Sequence, residues 1–264
     1  MTTIDSILLD TKKHYSCSCK GIRTCAICLS EGKPDVIQRQ NQPNKKILNF
    51  DKKLQAELEP EVIIIRNFVN KEEEKILINH FQTDPLNSQF KDSQSGRRKI
   101  DYGVKVNFKK QKVKIPADFE GFPKFTKEII FDKFNDPEII NQLQEHYTPH
   151  ELLILDYHPD RGSHIDAHID DTWAWGKTIM NLNLMSETVL TLENDEFILP
   201  IKLFPGDLLA LRGQARNVWT HEILKEHITS QRYCVTLRDL SDAVKIKYPE
   251  IWGRFKDGPF YFDI

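Results

Sequence analysis

Two identical tripeptides in the second half of the chain each place an imidazole and a carboxylate two residues apart. They are His164-Ile165-Asp166 and His168-Ile169-Asp170. Because side chains on a β-strand alternate between its two faces, the histidine and the aspartate of one tripeptide project toward one point, as two ligands of a metal ion do. The spacing alone does not decide which pair binds a metal, or whether either does.

A metal held by such a pair needs a third ligand from elsewhere in the chain. The best placed candidate is His221, which follows a predicted strand at 207–211 and the loop after it. Two imidazoles and one carboxylate on one face of an octahedron are the ligands of non-haem Fe(II) oxygenases, which leave three positions for a co-substrate and dioxygen. Zinc hydrolases also use two histidines and a carboxylate, so hydrolysis remains the alternative.

Two arginines further along the chain add a second signal. Arg232 and Arg238 are six positions apart, an even number, so on a strand both side chains leave the same face, about 20 Å apart at ~3.3 Å per residue. A buried guanidinium requires a carboxylate or phosphate partner. A dicarboxylic co-substrate that meets one arginine with its distal carboxylate and the iron with its keto-acid end explains both signals. The alternative is two surface arginines on an edge strand.

The elements that must position these residues are mostly short strands. The second half of the chain predicts them, between turn signals such as Pro205-Gly206-Asp207, at 151–157, 163–170, 178–185, 188–192, 196–203, 207–211 and 231–238. The first half predicts a buried strand at 61–66, a helix at 70–81 with a capping-box pattern, and helical stretches at 125–134 and 137–147. This succession indicates an α+β fold, an antiparallel sandwich or barrel with helices over one face.

Composition narrows the class of protein. The chain has 264 residues, 37 Lys+Arg against 39 Asp+Glu, and a net charge of -2, which excludes a wholly basic nucleic-acid coat. No apolar run approaches the ~18 residues of a membrane span, and the first residues lack the apolar core of a signal peptide. We therefore expect a soluble intracellular protein, in the cytoplasm and nucleus, with no membrane partner.

One short segment is strongly basic. Between Gly96 and Lys114 the single acid is Asp101, against the cations Arg97, Arg98, Lys99, Lys105, Lys109, Lys110, Lys112 and Lys114. A solvated pair of strands or loops explains such a segment, and so does a surface that meets phosphates or an acidic protein. Tyr102 and Phe108 keep the second interpretation open, since aromatic side chains stack on bases.

Four cysteines near the N-terminus have the pattern C-x-C-x5-C-x2-C: Cys17, Cys19, Cys25 and Cys28. With no export signal, thiols in a reducing cytosol favour a tetrahedral zinc site over disulfides, and Lys20 and Arg23 offset its negative charge. A redox cluster or an incidental one is the alternative. We predict a zinc loop at 1–30, a linker at 31–58, a main domain at 59–240 and an aromatic tail at 241–264.

Taken together, these motifs resemble the AlkB-like Fe(II)/2-oxoglutarate dioxygenases, and within them the AlkB homologue 4 branch. Beyond H-x-D, a distal histidine and Arg-x5-Arg, the similar blocks are CKGIRTC at 19–25, SQSGRRK at 93–99, DYG at 101–103, KVNF at 105–108, LDY at 155–157, RGS at 161–163 and HIDD at 168–171. The blocks extend from residue 17 and, with the arginine pair, cover most of the chain. The resemblance implies a double-stranded β-helix, or jelly roll.

Residue by residue, the resemblance implies His168, Asp170 and His221 as Fe(II) ligands, Arg232 as the partner of the distal carboxylate of 2-oxoglutarate, Arg238 near its keto-acid end, and Tyr157 in the Asn-x-Tyr co-substrate motif. Two positions depart from the pattern. Leu155 replaces the asparagine of that motif, and Cys234 replaces the asparagine expected two residues after the first arginine, so the co-substrate has fewer polar contacts. The interval from His221 to Arg232 is also short, which makes His227 an alternative third ligand.

The activity that the resemblance implies is oxidative demethylation, with 2-oxoglutarate and O2 consumed and the methyl group released as formaldehyde. In this family the segment before the jelly roll is a lid that recognises nucleotides, and the basic segment occupies that place here, at 93–116. Substrate-contact candidates are Arg97, Arg98, Lys99, Tyr102, Trp173 and Trp175, the tryptophans being equally explained as core residues.

The resemblance leaves the substrate open. The branch is associated with mono-methylated lysine in actin and with N6-methyladenine in DNA. We favour the methylated protein over the methylated nucleic acid, because phosphate affinity would rest on one patch of a slightly acidic chain. A non-catalytic protein-binding adaptor is the remaining hypothesis.

Overall fold

The structure is a computed structural model that describes residues 45–48, 61–255 and 258–263. The predicted zinc loop, with Cys17, Cys19, Cys25 and Cys28, lies outside the described residues. So does the predicted linker apart from 45–48, where a two-residue strand, β1 (Lys46–Ile47), pairs with a later strand of the main domain.

A large antiparallel sheet forms one wall of the domain. Its strands are β2 (Val62–Ile65), β3 (Lys91–Asp92), β4 (Arg98–Gly103), β8 (Glu151–Tyr157), β10 (Trp175–Leu184), β13 (Leu208–Leu211) and β15 (Arg232–Leu240). Their order across the sheet is β2-β13-β10-β15-β8-β4-β3. The strand that carries both arginines, β15, therefore lies in the middle of the sheet, which excludes the edge-strand alternative.

A smaller sheet forms the opposite wall. It contains β1 and four further strands, β9 (Ile165–His168), β11 (Thr188–Glu193), β12 (Phe197–Leu203) and β14 (Thr220–Ile223), in the order β1-β12-β11-β14-β9. From β8 to β15 the chain alternates between the two sheets, except at the β11–β12 hairpin. This alternation of antiparallel strands is the jelly-roll arrangement, as the sequence predicted.

An apolar core fills the space between the two sheets. The larger sheet contributes Val62, Leu155, Tyr157, Leu209, Leu211 and Cys234, and the smaller sheet contributes Leu190, Leu192, Leu199, Ile201, Leu203 and Ile223. These residues alternate with residues of the opposite face along their strands, as expected for sheets that pack face to face. The sandwich provides a rigid frame at whose open end polar side chains can converge.

Helices cover the other face of the larger sheet, as predicted. They are α1 (Lys71–Gln82), α2 (Pro137–Leu143), α4 (Asp242–Lys247) and α5 (Pro249–Gly253), whereas α3 (Gly213–Asn217) contributes Ala215 to the core between the sheets. In α1 the Asn70 side chain accepts hydrogen bonds from the backbone of Glu72 and Glu73, and the Glu73 carboxylate accepts one from the Asn70 backbone, which confirms the capping box. Leu77 and Phe81 of α1 pack into the core on this face.

The structure also differs from the predicted elements. The stretch at 125–134 is a π-helical turn (Lys127–Phe131) followed by a 3-10 turn (Asp132–Asn135), and α2 ends at Leu143 because Gln144 adopts a left-handed conformation with φ of 54°. The basic segment contains β4, a full strand of the larger sheet. His221, for which the sequence predicted no element, lies on the strand β14.

The remaining described elements are small. A hairpin joins β5 (Lys105–Asn107) to β6 (Lys112–Lys114), and β7 (Phe122–Pro123) pairs in parallel with β16 (Tyr261–Phe262) in the aromatic tail. Among the described residues no helix is long and apolar enough to cross a membrane.

Candidate active site

Two neighbouring strands of the smaller sheet bring three potential metal ligands together. His168 is the last residue of β9 and pairs with His221 on β14, and Asp170 follows two residues later. One ligand atom of each side chain lies within 4.8 Å of the others, and all three residues are buried. The Nε2 atom of His221 is 3.9 Å from Oδ2 of Asp170. This is the ligand set of a 2-His-1-carboxylate iron site, so the residues fit a divalent metal.

A β-bulge decides which histidine faces the interior. In the pairing of β14 with β9, His221 opposes His168 whereas Ile223 opposes Ile165, so three steps along β9 match two steps along β14. The extra residue changes the phase of the side-chain alternation. Ile165 packs against the core between the sheets, and His168, three residues later, also points inward to meet His221.

The orientation of His168 leaves one ring nitrogen for a metal. Its Nδ1 lies 2.7 Å from the backbone carbonyl oxygen of Asp166, which can only accept a hydrogen bond. The neutral ring therefore carries its proton on Nδ1 and presents the Nε2 lone pair. A carbonyl that fixes the tautomer of a ligating histidine is the usual support of such a metal site.

The other tripeptide makes a different cluster. Nε2 of His164 is 3.5 Å from Oδ1 of Asp166, and the Ser95 hydroxyl donates to the other carboxylate oxygen at 3.1 Å. The hydrogen bond with Asp166 raises the pKa of His164. Burial alone would raise the pKa of Asp166, but His164, Ser95 and nearby Arg97 together lower it. The pair is thus an ion pair that ties β9 to the loop before β4, and it takes no part in the triad.

His227 also lies outside the triad. It ends a short 3-10 turn (Lys225–His227), and its backbone oxygen accepts a hydrogen bond from the Thr188 hydroxyl. Burial lowers its pKa. Within the described residues it does not join the cluster of His168, Asp170 and His221.

Arg238 holds the carboxylate of the triad. Its Nη2 donates to Oδ1 of Asp170 at 3.0 Å, and its Nη1 donates to Glu151 at 2.5 Å. Burial opposes the charge of Arg238, but Asp170 and Glu151 outweigh burial and raise its pKa. Because Oδ1 of Asp170 is taken by the arginine, Oδ2 is the oxygen that faces His221.

Arg232 has the properties of a carboxylate receptor. The side chain is 1% exposed, its Nε donates to Oδ1 of Asn183 at 2.5 Å, and its guanidinium carbon lies 4.8 Å from the centre of the Tyr157 ring. Its Nη1 is buried and has no hydrogen-bond partner among the described residues. An unpartnered buried guanidinium nitrogen on the same strand as Arg238 fits a ligand carboxylate, since such a donor is costly to leave unpaired.

Comparison with known proteins identifies the family. The alpha-ketoglutarate-dependent dioxygenases alkB homolog 4 of Homo sapiens and Mus musculus are 37% and 35% identical to the chain, each over 85% of it and over 86% and 87% of their own lengths. The chain belongs to the AlkB family, in its homologue 4 branch. It is an Fe(II)/2-oxoglutarate-dependent dioxygenase. A scan against protein-family models gives no match.

Two further similarities bear on substrate and fold. A Caenorhabditis elegans protein named DNA N6-methyl adenine demethylase is 29% identical over 86% of the chain and 87% of its own length. The solved structure of OsALKBH1 covers 69% of the chain and 99% of its own length, with a TM-score of 0.50 and 14% identity. At that identity the structural similarity supports the AlkB jelly roll and nothing finer.

The AlkB site also contains an arginine that the sequence analysis did not find. Arg216 in α3 is buried and donates to the backbone oxygens of Asp170 and Asp171, at 2.7 and 2.9 Å. Burial lowers its pKa, against the opposing effect of Asp170. Arg216 thereby connects the segment that carries Asp170 to the segment that leads to His221. Its position five residues before His221 was the only signal in the sequence.

The first half of the basic segment of this AlkB protein is paired with residues of its own chain. Arg97 is buried and donates to the Gln94 backbone oxygen at 3.0 Å, and Arg98 forms an ion pair with the buried Asp156 at 2.7 Å. Asp101 is paired with Lys99 at 3.4 Å and also with Lys105. The contacts that the structure gives to Arg97, Arg98 and Lys99 are therefore contacts within the chain.

The aromatic candidates have core contacts. Trp175 is 2% exposed, and its ring lies 5.6 Å from the guanidinium carbon of Arg238. Trp173 and Tyr102 are partly buried against the core on the helical face. Burial raises the pKa of Tyr102 above its ordinary value. These three side chains thus have structural roles, and their contact with a substrate stays a prediction.

Proposed function

We propose that this dioxygenase is an oxidative demethylase whose substrate is methyl-lysine in a protein such as actin. The observation that carries the proposal is the combination of the buried triad His168, Asp170 and His221 with the unpartnered buried guanidinium nitrogen of Arg232. The first is the ligand set of a redox-active iron and the second suits a dicarboxylic co-substrate. An oxygenase needs this second feature for its co-substrate, whereas hydrolysis by a zinc-bound water needs no co-substrate.

The residues of the chain have distinct tasks in this reaction. His168, Asp170 and His221 would hold Fe(II), Arg238 orients Asp170, and Arg232 receives the distal carboxylate of 2-oxoglutarate. Iron and 2-oxoglutarate, when bound, supply the oxidation: O2 converts 2-oxoglutarate to succinate and CO2 and a methyl C–H to C–OH, after which the hydroxymethyl amine releases formaldehyde. No protein nucleophile is required.

The pairing of the basic segment supports a protein substrate. Nucleic-acid binding draws its affinity from cations that neutralise phosphates. Arg98, Lys99 and Lys105 already form ion pairs within the chain, and Arg97 is buried. Because these cations have partners within the chain, few along β4 remain to contact a phosphate backbone.

DNA with N6-methyladenine is the second candidate, on two specific grounds. The Caenorhabditis elegans relative is named as a demethylase of that base. In addition, the β5–β6 hairpin exposes Lys109, Lys110, Lys112 and Lys114. These lysines give one compact surface that could contact a phosphate backbone.

A turnover assay tests the proposal. The full chain with Fe(II), 2-oxoglutarate and O2 is given either a mono-methyl-lysine actin peptide or an N6-methyladenine oligonucleotide, and succinate and formaldehyde are measured. We expect equal amounts of both products with the peptide, and neither product from Asp170→Ala. Turnover of the oligonucleotide alone would favour the second candidate.

Two outcomes would overturn demethylation itself. Peptide binding that survives Asp170→Ala, without turnover in the intact protein, would indicate an adaptor. Hydrolysis that needs no oxygen, with zinc bound at the triad, would indicate a metallohydrolase. In the same preparation, zinc analysis of the full chain and of a Cys17→Ser/Cys19→Ser variant tests the predicted zinc loop separately.

A further inference from the structure

The polar lining of the co-substrate pocket is rearranged in this chain. Across the central strands, Asn183 of β10 pairs with Cys234 of β15, and Cys234 pairs with Leu155 of β8. The three side chains therefore form one row on the inner face of the larger sheet, with neighbouring strands ~4.8 Å apart. Positions 155 and 234, where the resemblance leads one to expect asparagines, hold an aliphatic side chain and a thiol. The amide of this row lies on β10 instead.

The contacts of Asn183 fix its orientation. The residue is completely buried, its Nδ2 donates to the Ser186 backbone oxygen at 2.9 Å, and its Oδ1 accepts from Nε of Arg232 at 2.5 Å. Because an arginine Nε can only donate and a carbonyl oxygen can only accept, each end of the amide has one compatible partner. The amide cannot be flipped without breaking both hydrogen bonds.

That orientation determines where Arg232 can bind a ligand. The guanidinium is planar, so fixing Nε on one side and the ring of Tyr157 against the plane also fixes the direction of the two terminal nitrogens. Nη1 is the buried donor that has no partner among the described residues. Asn183 therefore occupies Nε of Arg232, and a ligand carboxylate can bind the terminal nitrogen Nη1.

We propose that Asn183 is the positioning residue for 2-oxoglutarate in this chain. It holds the Arg232 guanidinium so that its terminal nitrogens receive the distal carboxylate, and it acts from β10 through the arginine rather than by contact with the co-substrate. The inference rests on the proposed co-substrate and adds the residue that selects it. An asparagine serves better than an aspartate here, because a carboxylate at this position would neutralise the guanidinium and compete with the ligand.

Equilibrium binding, without turnover, tests the inference. The full chain is loaded with Mn(II) under nitrogen, and the dissociation constants of 2-oxoglutarate and of 2-oxobutyrate, which lacks the distal carboxylate, are measured by calorimetry or competition. We expect Asn183→Ala to weaken 2-oxoglutarate binding by roughly 10- to 100-fold and to leave 2-oxobutyrate binding unchanged, since one hydrogen bond to a charged group is lost. Asn183→Asp, which is nearly isosteric, should weaken 2-oxoglutarate binding more than Asn183→Ala.

The controls separate positioning from folding. Asn141→Ala removes an amide from the exposed face of α2 and should bind both ligands as the wild type does. Mn(II) affinity should be the same in every variant. If Asn183→Ala does not fold, the comparison of Asn183→Asp with the wild type decides.

Three results would overturn the inference. One is unchanged 2-oxoglutarate affinity in Asn183→Ala, a second is equal weakening of both ligands, and a third is wild-type affinity in Asn183→Asp. Failure of the co-substrate on which the inference rests would look different, because the wild-type protein would then bind no 2-oxoglutarate, and a different methylated substrate would leave these binding constants unchanged.

Discussion

The tripeptides at 164–166 and 168–170 have the same sequence, but the fold gives them different chemistry. Asp170 lies between two buried arginines, Arg238 at its carboxylate and Arg216 at its backbone, and beside His221. Asp166 instead meets His164 of its own tripeptide and the hydroxyl of Ser95. The spacing of two residues is thus not sufficient for a ligand pair, and the neighbouring strands decide whether it becomes one.

The difference arises from pairing in the smaller sheet. β14 supplies His221 opposite His168, whereas opposite Ile165 it supplies Ile223, which is buried in the core. The bulge between these pairs turns the second tripeptide toward the interior and leaves the first to make contacts with the loop before β4. A partly buried ion pair contributes little stability, whereas two buried imidazoles and a carboxylate oriented by arginines are the ligand set of a metal site.

The largest effect should separate the two aspartates. Asp170→Ala removes an oxygen ligand and leaves Arg238 facing a cavity, so we expect turnover to fall by more than about 1,000-fold. Asp166→Ala should retain turnover within about threefold, because its carboxylate contacts His164 and Ser95 and the backbone oxygen that meets His168 is kept. Formaldehyde release under saturating 2-oxoglutarate measures both. Similar losses in the two variants would contradict the distinction between the tripeptides.

A second prediction compares the two candidate third ligands. His221→Ala should abolish tight Mn(II) binding, whereas His227→Ala should leave the Mn(II) affinity within about twofold, because only His221 lies in the cluster. Titration of the metal-free protein, followed by tryptophan fluorescence or electron paramagnetic resonance, gives the affinities. Loss of binding in His227→Ala with retention in His221→Ala would assign the third ligand to the other histidine.

A third prediction compares two arginines that each bind backbone carbonyls, one near each tripeptide. Arg216→Lys keeps the charge but loses the paired geometry at the oxygens of Asp170 and Asp171, so we expect the metal affinity to fall by about 10- to 100-fold. Arg161, which lies three residues before the first tripeptide, donates to the backbone oxygens of Gly96 and Asp156. Arg161→Lys is therefore the matched control, and its metal affinity should equal that of the wild type.

Equal affinities in the two lysine variants would mean that Arg216 only stabilises the fold. Thermal unfolding of both metal-free variants separates these effects, because a purely structural role lowers the melting temperature without changing metal affinity in the folded protein.

Local patterns were sufficient to predict much of the fold. The strands at 151–157 and 231–238 and the capped helix after Asn70 were predicted because alternation, turn residues and capping pairs are properties of neighbouring residues. The geometry of His168, Asp170 and His221 agrees with the ligand set that the resemblance implied. The zinc loop at 1–30 stays a prediction.

The parts that sequence reasoning missed depend on contacts between distant segments. The bulge in β9 is defined by its pairing with β14. The sequence of β4 indicates a basic surface segment, and only its pairing with β8 shows that it is a strand of the larger sheet. Arg216 and Asn183 acquire their roles from partners 46 and 49 residues away. No local pattern marks such residues, because the partner that gives them their role is fixed by the tertiary fold.

The smallest effect should be on the unfolding free energy, to which the ion pair of the first tripeptide makes a pH-dependent contribution. The pKa of His164 is raised in the folded protein by Asp166, and the pKa of Asp166 is lowered. The pair therefore stabilises the protein fully between the ordinary pKa values of an aspartate and a histidine, about 4 and 6.5. As the pH rises through the folded-state pKa of His164, the imidazole loses its proton and this contribution disappears.

His164→Gln tests this contribution, which for a partly buried ion pair we expect to be about 0.5 kcal/mol. In EDTA, the difference in unfolding free energy between the wild type and His164→Gln should be largest near pH 6 and should shrink by pH 8.5. In an Asp166→Asn background the same substitution should have an effect that hardly changes with pH, because the partner carboxylate is gone. A pH-independent difference in the wild-type background would mean that His164 contributes packing alone, and the two tripeptides would then differ in metal binding but not in electrostatics.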